Sequence, residues 1–411
     1  MNQGSRIGIL CASVAIFCYA GIGHLLGRTQ DDKAYKSLTV YGEVLQKIQQ
    51  DYVDDPNMRT VTAGSLHGML ESLDPQSSYL TPREYDEYKK KLANAGTAET
   101  GLTLSKRYGY IIVLSVLPDS PGTKAGIRSS DIFESISGFT TRDMSVGQAL
   151  NLLNGQPGSG VKVGVIRRGK ATPEEVDVVR EKLATPKIVA QKADPDILVL
   201  RIPSLDAGRA DEVRNRLLDA EKQGMRKVIL DVRECGRGQV SEAISIARLF
   251  VTSGMLTTLR GQTVSAQVFS AEPKQVIWKN PVSVLIDATT SGAAEVLASA
   301  IVANHRGDVV GERTFGLAAE QKLITLDDGA ALILTVANYY NPGGKSIMEE
   351  GVTPTEIVRA VPEDESDSAD EEPAPEPHQK EPGLGPRPLS PEDPIFHRAL
   401  DLLKSPGKKA A

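Results

Sequence analysis

The sequence predicts an α/β protein, α+β overall, with an inserted mostly-β module, an N-terminal helical region and an N-terminal transmembrane helix. Three observations carry this expectation. Residues 187–360 alternate between short apolar runs and amphipathic helical patterns, which implies an α/β layer with parallel strands. Residues 97–170 are richer in glycine and hold short β-like runs, the mark of a small, mostly-β module. Residues 7–27 form a 21-residue apolar run interrupted only by His24, about the length that spans a bilayer core.

The elements follow in chain order. Arg6 and Arg28 flank the apolar run. It offers no clear small-residue cleavage site beyond Ala20-Gly21, so it reads as a retained anchor rather than a removed signal peptide. Leu38, Tyr41, Leu45, Ile48 and Tyr52 recur at spacings of three and four. That is an amphipathic helix with a narrow seam, which packs either within the monomer or against a second copy. Residues 61–95 read as helical, broken at Asp74-Pro75 and restarted at Thr81-Pro82, with Thr81 as N-cap and Pro82 as the first helical residue. In the glycine-rich stretch, residues 109–116, 131–136 and 161–166 are strand-like. Ser145 opens a helix carrying Val146, Ala149, Leu150 and Leu153.

Beyond it, strands at 197–202, 227–232 and 282–287 alternate with helices marked by Ala210, Val213, Leu217 and Ala220, by Val240, Ile244, Ala247 and Phe250, and by residues 292–304. Residues 332–337 and their neighbours add further strand. Ser390 to Lys404 forms a short amphipathic helix carrying Ile395, Leu400 and Leu403. The predicted organisation is therefore an anchor over 1–30, a helical region over 31–96, the β module over 97–170, the α/β core over 171–360, a linker over 361–388, and a C-terminal helix and tail over 389–411.

Composition excludes several classes. The chain has 411 residues, 40% hydrophobic and 24% charged, which is ordinary globular usage. Residues 361–411 hold 12 acidic and 6 basic side chains, so the whole net charge of −6 sits there. The remainder is balanced, which argues against nucleic acid as a partner. Eight acidic side chains and no lysine or arginine lie between Glu363 and Glu376, with prolines interleaved. Such a segment is a solvated tether. Cys11 and Cys18 fall in the apolar run and Cys235 stands apart, too few for a disulfide framework. The five histidines show no ligand-like spacing, and no metal or cofactor is expected. Cys235-Gly236-Arg237-Gly238 follows a strand, but Ser241 takes the third glycine position of a dinucleotide fingerprint. His305 has no clear partner for general-base work and reads as a residue at a helix C-terminus.

Several motifs together carry a family resemblance. Leu73-Asp-Pro-Gln-Ser-Ser-Tyr-Leu resembles the "LDPHSSYL" segment of the C-terminal processing (tail-specific) peptidases. Ser120-Pro-Gly-Thr-Lys-Ala-Gly-Ile is similar to the "SPAxxAGL" run of their PDZ domain. Asp231-Val-Arg, Gly311-Glu-Arg-Thr-Phe-Gly, Tyr339-Tyr-Asn-Pro-Gly-Gly-Lys-Ser-Ile and Gly351-Val-Thr-Pro resemble further family segments in the same order. The resemblance covers roughly residues 35–404. It implies an α/β peptidase-like core with an inserted PDZ domain. It also implies serine–lysine proteolysis near protein C-termini, outside the bacterial inner membrane, without a cofactor. That chemistry needs a serine nucleophile at a helix start, a neutral lysine as base and backbone N–H groups as an oxyanion hole.

At those positions this chain departs from the family. The nucleophile position, three residues before Glu295, is Gly292, and the lysine position, 25 residues later, is Leu317. The family's glutamine is kept as Gln321. The oxyanion segment is Gly236-Arg237-Gly238, with arginine in place of a glycine, where a left-handed backbone would carry a penalty of about 1 kcal/mol or more. Ser291 and Lys322 are the candidates for a displaced dyad. Gly101, Leu102, Thr103 and Leu104 occupy the carboxylate-binding loop of the resembled PDZ domain, where a peptide tail adds a strand.

Three readings follow. The first is a membrane-anchored, periplasmic pseudopeptidase that binds protein C-termini or scaffolds an active paralogue. The second is an active peptidase using Ser291 and Lys322. The third is a homo-oligomeric structural protein built on the seam at 38–52.

Overall fold

The computed structural model describes residues 36–93, 97–167, 170, 172–359 and 393–405. The apolar run at 7–27 and the acidic linker at 361–388 lie outside the described residues. No helix among the described residues is long and apolar enough to cross a membrane.

Two compact units divide at residue 65. In the first, helix α1 (36–51) carries the predicted seam. Tyr41 Oη lies 2.6 Å from Ser65 Oγ, while Leu38 and Tyr52 remain exposed.

Helix α2 (Met58–Glu71) leads into the second unit. Asp74 accepts the N–H groups of Gln76 and Ser77, both at 2.8 Å, and so makes the turn. The chain then enters strand β1 (Ser78–Leu80) and helix α3 (Pro82–Ala93). β1 falls in the break that the sequence reading left between Asp74-Pro75 and Thr81-Pro82, which it did not assign as strand, and its partner is a strand some 250 residues later in the chain. A three-residue strand has too little periodicity to be seen locally. Thr81 and Glu84 cap α3 reciprocally: the Thr81 N–H and hydroxyl both donate to the Glu84 carboxylate at 2.8 and 2.7 Å.

The β module comprises β2 (Leu102–Arg107), β3 (Tyr110–Val116), α4 (Pro121–Lys124), β4 (Ile132–Ile136), β5 (Phe139–Thr140), α5 (Val146–Leu153), β6 (Gly160–Ile166) and β7 (Glu174–Val179). Its antiparallel sheet runs β2-β3-β4-β6-β7, with β5 on β4, so β2 is an edge strand. A Ser145/Gln148 capping box starts α5. The sheet continues past residue 170, because β6 pairs along its whole length with β7. A further bridge joins Glu99 to Glu181. The boundary read from the sequence fell short, since β7 is polar on one face and looks like loop in isolation. Phe133, Ile111, Val163 and Leu153 fill this module's own core.

The remaining chain builds two more sheets from β8 (Val189–Asp194), β9 (Ile197–Arg201), α6 (Arg209–Lys222), β10 (Lys227–Asp231), α7 (Val240–Arg248), β11 (Met255–Arg260), β12 (Gln267–Ser270), β13 (Val282–Ile286), α8 (Ala293–Ala303), β14 (Asp308–Gly311), β15 (Ala319–Thr325), β16 (Ala331–Tyr340), β17 (Glu356–Ile357) and α9 (Pro394–Lys404). One sheet has the order β17-β14-β13-β10-β9-β8. All its pairs are parallel except β8 on β9. That matches the alternation seen in the sequence, where β9 and β13 are buried at every position. The other sheet is antiparallel, β1-β16-β11-β12 with β15 on β16. Helices α6, α7 and α8 pack between the two sheets around Phe250, Leu297 and Trp278.

Helix α9 closes the opposite face of the parallel sheet. Ile395, Phe396, Ala399, Leu400 and Leu403 cover Ile197, Val199, Ile229, Leu285 and Val310. Arg233 ties it down, donating to both oxygens of buried Asp231 at 2.9 and 2.8 Å and to Asp393 at 2.6 Å. Asp393 in turn accepts the Ile395 and Phe396 N–H groups as N-cap. Phe396→Ala is expected to lower the unfolding free energy in urea by about 3–5 kcal/mol. Arg398→Ala, which removes only an exposed pair with Glu356, is expected to change it by less than about 1 kcal/mol.

Candidate functional site

The site is built where β13 turns into α8. Asp287, at the strand end, accepts the N–H and hydroxyl groups of Thr289 and Thr290, all on Oδ1 at 2.7–3.1 Å. The Ser291 N–H donates to Cys235 O at 3.1 Å. Gly292 follows as the helix N-cap with φ 63° and ψ −121°. Few side-chain-bearing residues adopt that backbone. It gives a sharp strand–turn–helix corner of the sort that exposes a nucleophile. Here the corner carries no side chain, and a Cβ built on Gly292 would meet no atom within 4 Å.

Glu295, fully buried in the first turn of α8, organises the surroundings. Its Oε2 accepts the Gly292 N–H at 2.8 Å and the Leu317 N–H at 2.7 Å. Its Oε1 accepts the Gly316 N–H and the Thr314 hydroxyl, both at 2.6 Å. Burial pushes its pKa from the ordinary 4.5 up to about 7, against the pull of these four donors. One carboxylate oxygen thus holds the backbone of both positions 292 and 317. Sequence reasoning used Glu295 only as a landmark. The spacing of an acidic residue three after an N-cap was the signal that could have found it.

The segment 236–238 lies alongside. Leu205 pairs with it: the Leu205 N–H donates to Arg237 O and the Gln239 N–H to Leu205 O, each at 2.8 Å. The expected backbone penalty at Arg237 does not arise. The left-handed positions of this loop are Glu234, φ 57°, and Gly238, φ 134°, and Arg237 is not among them. Its side chain ties the core loop to the β module through Glu99 at 2.6 Å and reaches Asp206 at 3.4 Å. Gly236 is required by close approach. A Cβ there would fall 2.7 Å from Ser115 Oγ, 2.8 Å from Ser291 Oγ and 3.2 Å from Thr103 Cγ2.

Gly101 turns into β2 with φ 77°. Leu102, Thr103 and Leu104 start this edge strand, with a bulge between Thr103 and Leu104. They line a cavity of about 350 Å³ together with Leu150, Gly236 and Gln321. A neighbouring cavity of about 450 Å³ is lined by Val240, Ile244, Phe269, Ala293, Glu320 and Tyr339. Gly238, Gly292, Leu317 and Ala319 border both. The fold therefore brings Gly292, Leu317, Gln321, the 236–238 segment and the 102–104 strand into one continuous cleft. Gln321 also donates to Gln76 O at 3.0 Å.

Ser291 and Lys322 are placed differently. Ser291 is 1% exposed and its Oγ has no hydrogen-bond partner. Lys322 is exposed on β15, one residue from Gln321 and so on the other face of the strand. Neither residue lines the cleft.

Two predictions follow from the corner. Gly292→Ala is expected to cost about 1–3 kcal/mol in urea unfolding through backbone strain alone. The raised Glu295 pKa sets a direction with pH. A carboxyl that ionises at about 7 in the fold and at 4.5 outside it contributes stability in full below about pH 4.5, and that contribution is lost as pH rises through about 7. Unfolding midpoints from pH 4 to 8 are expected to show this decline, and Glu295→Gln to flatten it.

Residues 196–358 match peptidase family S41. The chain is 27% identical over 336 residues to a carboxy-terminal-processing protease of Bartonella bacilliformis, covering 80% of this chain and 76% of that one. It is 26% identical over 350 residues to the carboxy-terminal processing protease CtpA of Bacillus subtilis, with 85% and 74% covered. Among solved structures, the photosystem II D1 C-terminal processing protease shares the fold with a TM-score of 0.64 at 23% identity, covering 78% of this chain and 92% of that one. The chain carries a peptidase family S41 domain and is a relative of the carboxy-terminal processing proteases.

Proposed function

We propose that this protein is a pseudopeptidase that binds the C-terminal tails of other proteins without cutting them. One observation carries the reading. Gly292 and Leu317, the positions where a serine and a lysine would have to meet, share one carboxylate oxygen of Glu295 and border the same cleft. The frame of a nucleophile–base pair is present, with neither hydroxyl nor amine on it. Loss of both groups typically forfeits about six orders of magnitude in turnover. The displaced pair Ser291 and Lys322 gains no support, because Ser291 Oγ is buried away from the cleft.

The β module is the tail-binding part in this reading, acting as a PDZ domain. Its edge strand β2 offers unpaired backbone groups beside α5, and the Gly101 turn leads directly into the cleft. A peptide added to β2 would gain main-chain hydrogen bonds, with side-chain contacts giving selectivity. The apolar run at 7–27 would hold the protein in the inner membrane with its bulk in the periplasm. Partners would be proteins with free C-terminal ends, an active paralogue, or a second copy meeting α1.

The test uses the full chain in detergent and an unstructured substrate with a defined C-terminal tag. No cleavage is expected from the native protein. The tail peptide is expected to bind with a free carboxylate and to lose affinity about tenfold or more when amidated. Gly292→Ser/Leu317→Lys is expected to restore measurable cleavage, since Glu295 already holds both backbone positions. Native cleavage that disappears in Ser291→Ala would overturn the pseudopeptidase reading.

A further inference from the structure

The cavity beyond Gly292 has a composition that the lost chemistry does not account for. Val240, Ile244, Phe269, Ala293 and Leu317 give it apolar walls, Gln239 and Ser241 add polar ones, and among the described residues Glu320 is the only charged side chain lining it. Glu320 stands on β15 opposite Ala337. The buried Tyr339 hydroxyl donates to its Oε1, which fixes the carboxylate and leaves Oε2 without a hydrogen-bond or ion-pair partner among the described residues. Leu317 occupies the position where the resemblance calls for a lysine, and no cation among the described residues lines the cavity. Arg237, the one cation lining the adjoining cavity among the described residues, is already paired with Glu99 and Asp206. A half-buried carboxylate oriented by a tyrosine, with no cation lining its cavity of about 450 Å³ among the described residues and apolar side chains on its walls, is complementary to one kind of group. That group has a long apolar stem and a cationic head.

We infer that this cavity selects tails with a lysine or arginine upstream of their C-terminal end. The stem lies against Phe269, Val240 and Leu317, and the head donates to Glu320 Oε2. The inference rests on the tail-binding reading and adds the chemistry of the bound sequence to it. Neutral side chains of the same length would fill the slot but leave the carboxylate desolvated without a partner.

The test measures binding of fluorescein-labelled tail peptides to the full chain by anisotropy at low salt. A peptide series moves one lysine along the tail, and a matching series carries norleucine at the same positions. Each is made with a free and an amidated terminus. At one position the lysine peptide is expected to bind about tenfold or more tighter than its norleucine twin. The gap is expected to close as salt rises to 1 M. In Glu320→Gln the two peptides are expected to bind equally. Should that variant fail to fold, the salt dependence of the native protein decides. Binding that depends on the free carboxylate yet ignores lysine at every position would overturn the inference and leave tail binding standing. Binding of neither terminus form would overturn both.

Discussion

A single buried carboxylate holds the site together. Glu295 gathers three backbone N–H groups and one hydroxyl from two segments more than 20 residues apart: the corner at Gly292 and the stretch 314–317. A fully buried carboxyl is costly unless its hydrogen-bonding capacity is met, and here four donors meet it. Thr314 passes the constraint on, since its hydroxyl also accepts the Val352 N–H at 2.7 Å. The spacing of the cleft walls therefore does not depend on what the side chains at 292 and 317 are. Catalytic groups can be lost from such a frame while its shape persists.

Glycine at position 292 is informative for the same reason. A strained corner must be held by its surroundings when it bears a side chain. Glycine adopts φ 63° without that penalty. With no hydroxyl to present, the corner keeps its geometry and sheds its strain. Leu317 and Ala319 place apolar side chains where the two cavities meet.

The β module is joined to this corner by small groups packed closely. Thr103, Ser115 and Ser291 converge on Gly236, and Arg237 spans to Glu99. The Arg237 pairs are part-exposed and individually worth little. Their effect is positional: they seat the edge strand β2 against the loop that borders Gly292. Farther round, Gln321 donates to Gln76 O, and Gln76 to Ser105 Oγ at 3.2 Å. The edge strand β2 and the Gly292 corner thereby share one wall.

Periodicity and spacing in the sequence determined the parallel core, the separate β module, the Thr81 and Ser145 caps and the apolar face of α9, because each is a local pattern of burial or capping. The resemblance to the C-terminal processing peptidases, through its interval of 25 residues, pointed to Gly292 and Leu317. The tertiary structure alone decided what no local window holds. It placed β1 on β16 across some 250 residues, extended the module's sheet to β7, and left Arg237 without the backbone strain expected of it. It also assigned Glu295 to both halves of the site and set Glu320, the one charged side chain among the described lining residues, against the cavity beyond Gly292. Long-range pairing, burial of a charge and the absence of a neighbouring counter-charge are relations between distant segments, and they exist only once the chain has closed on itself.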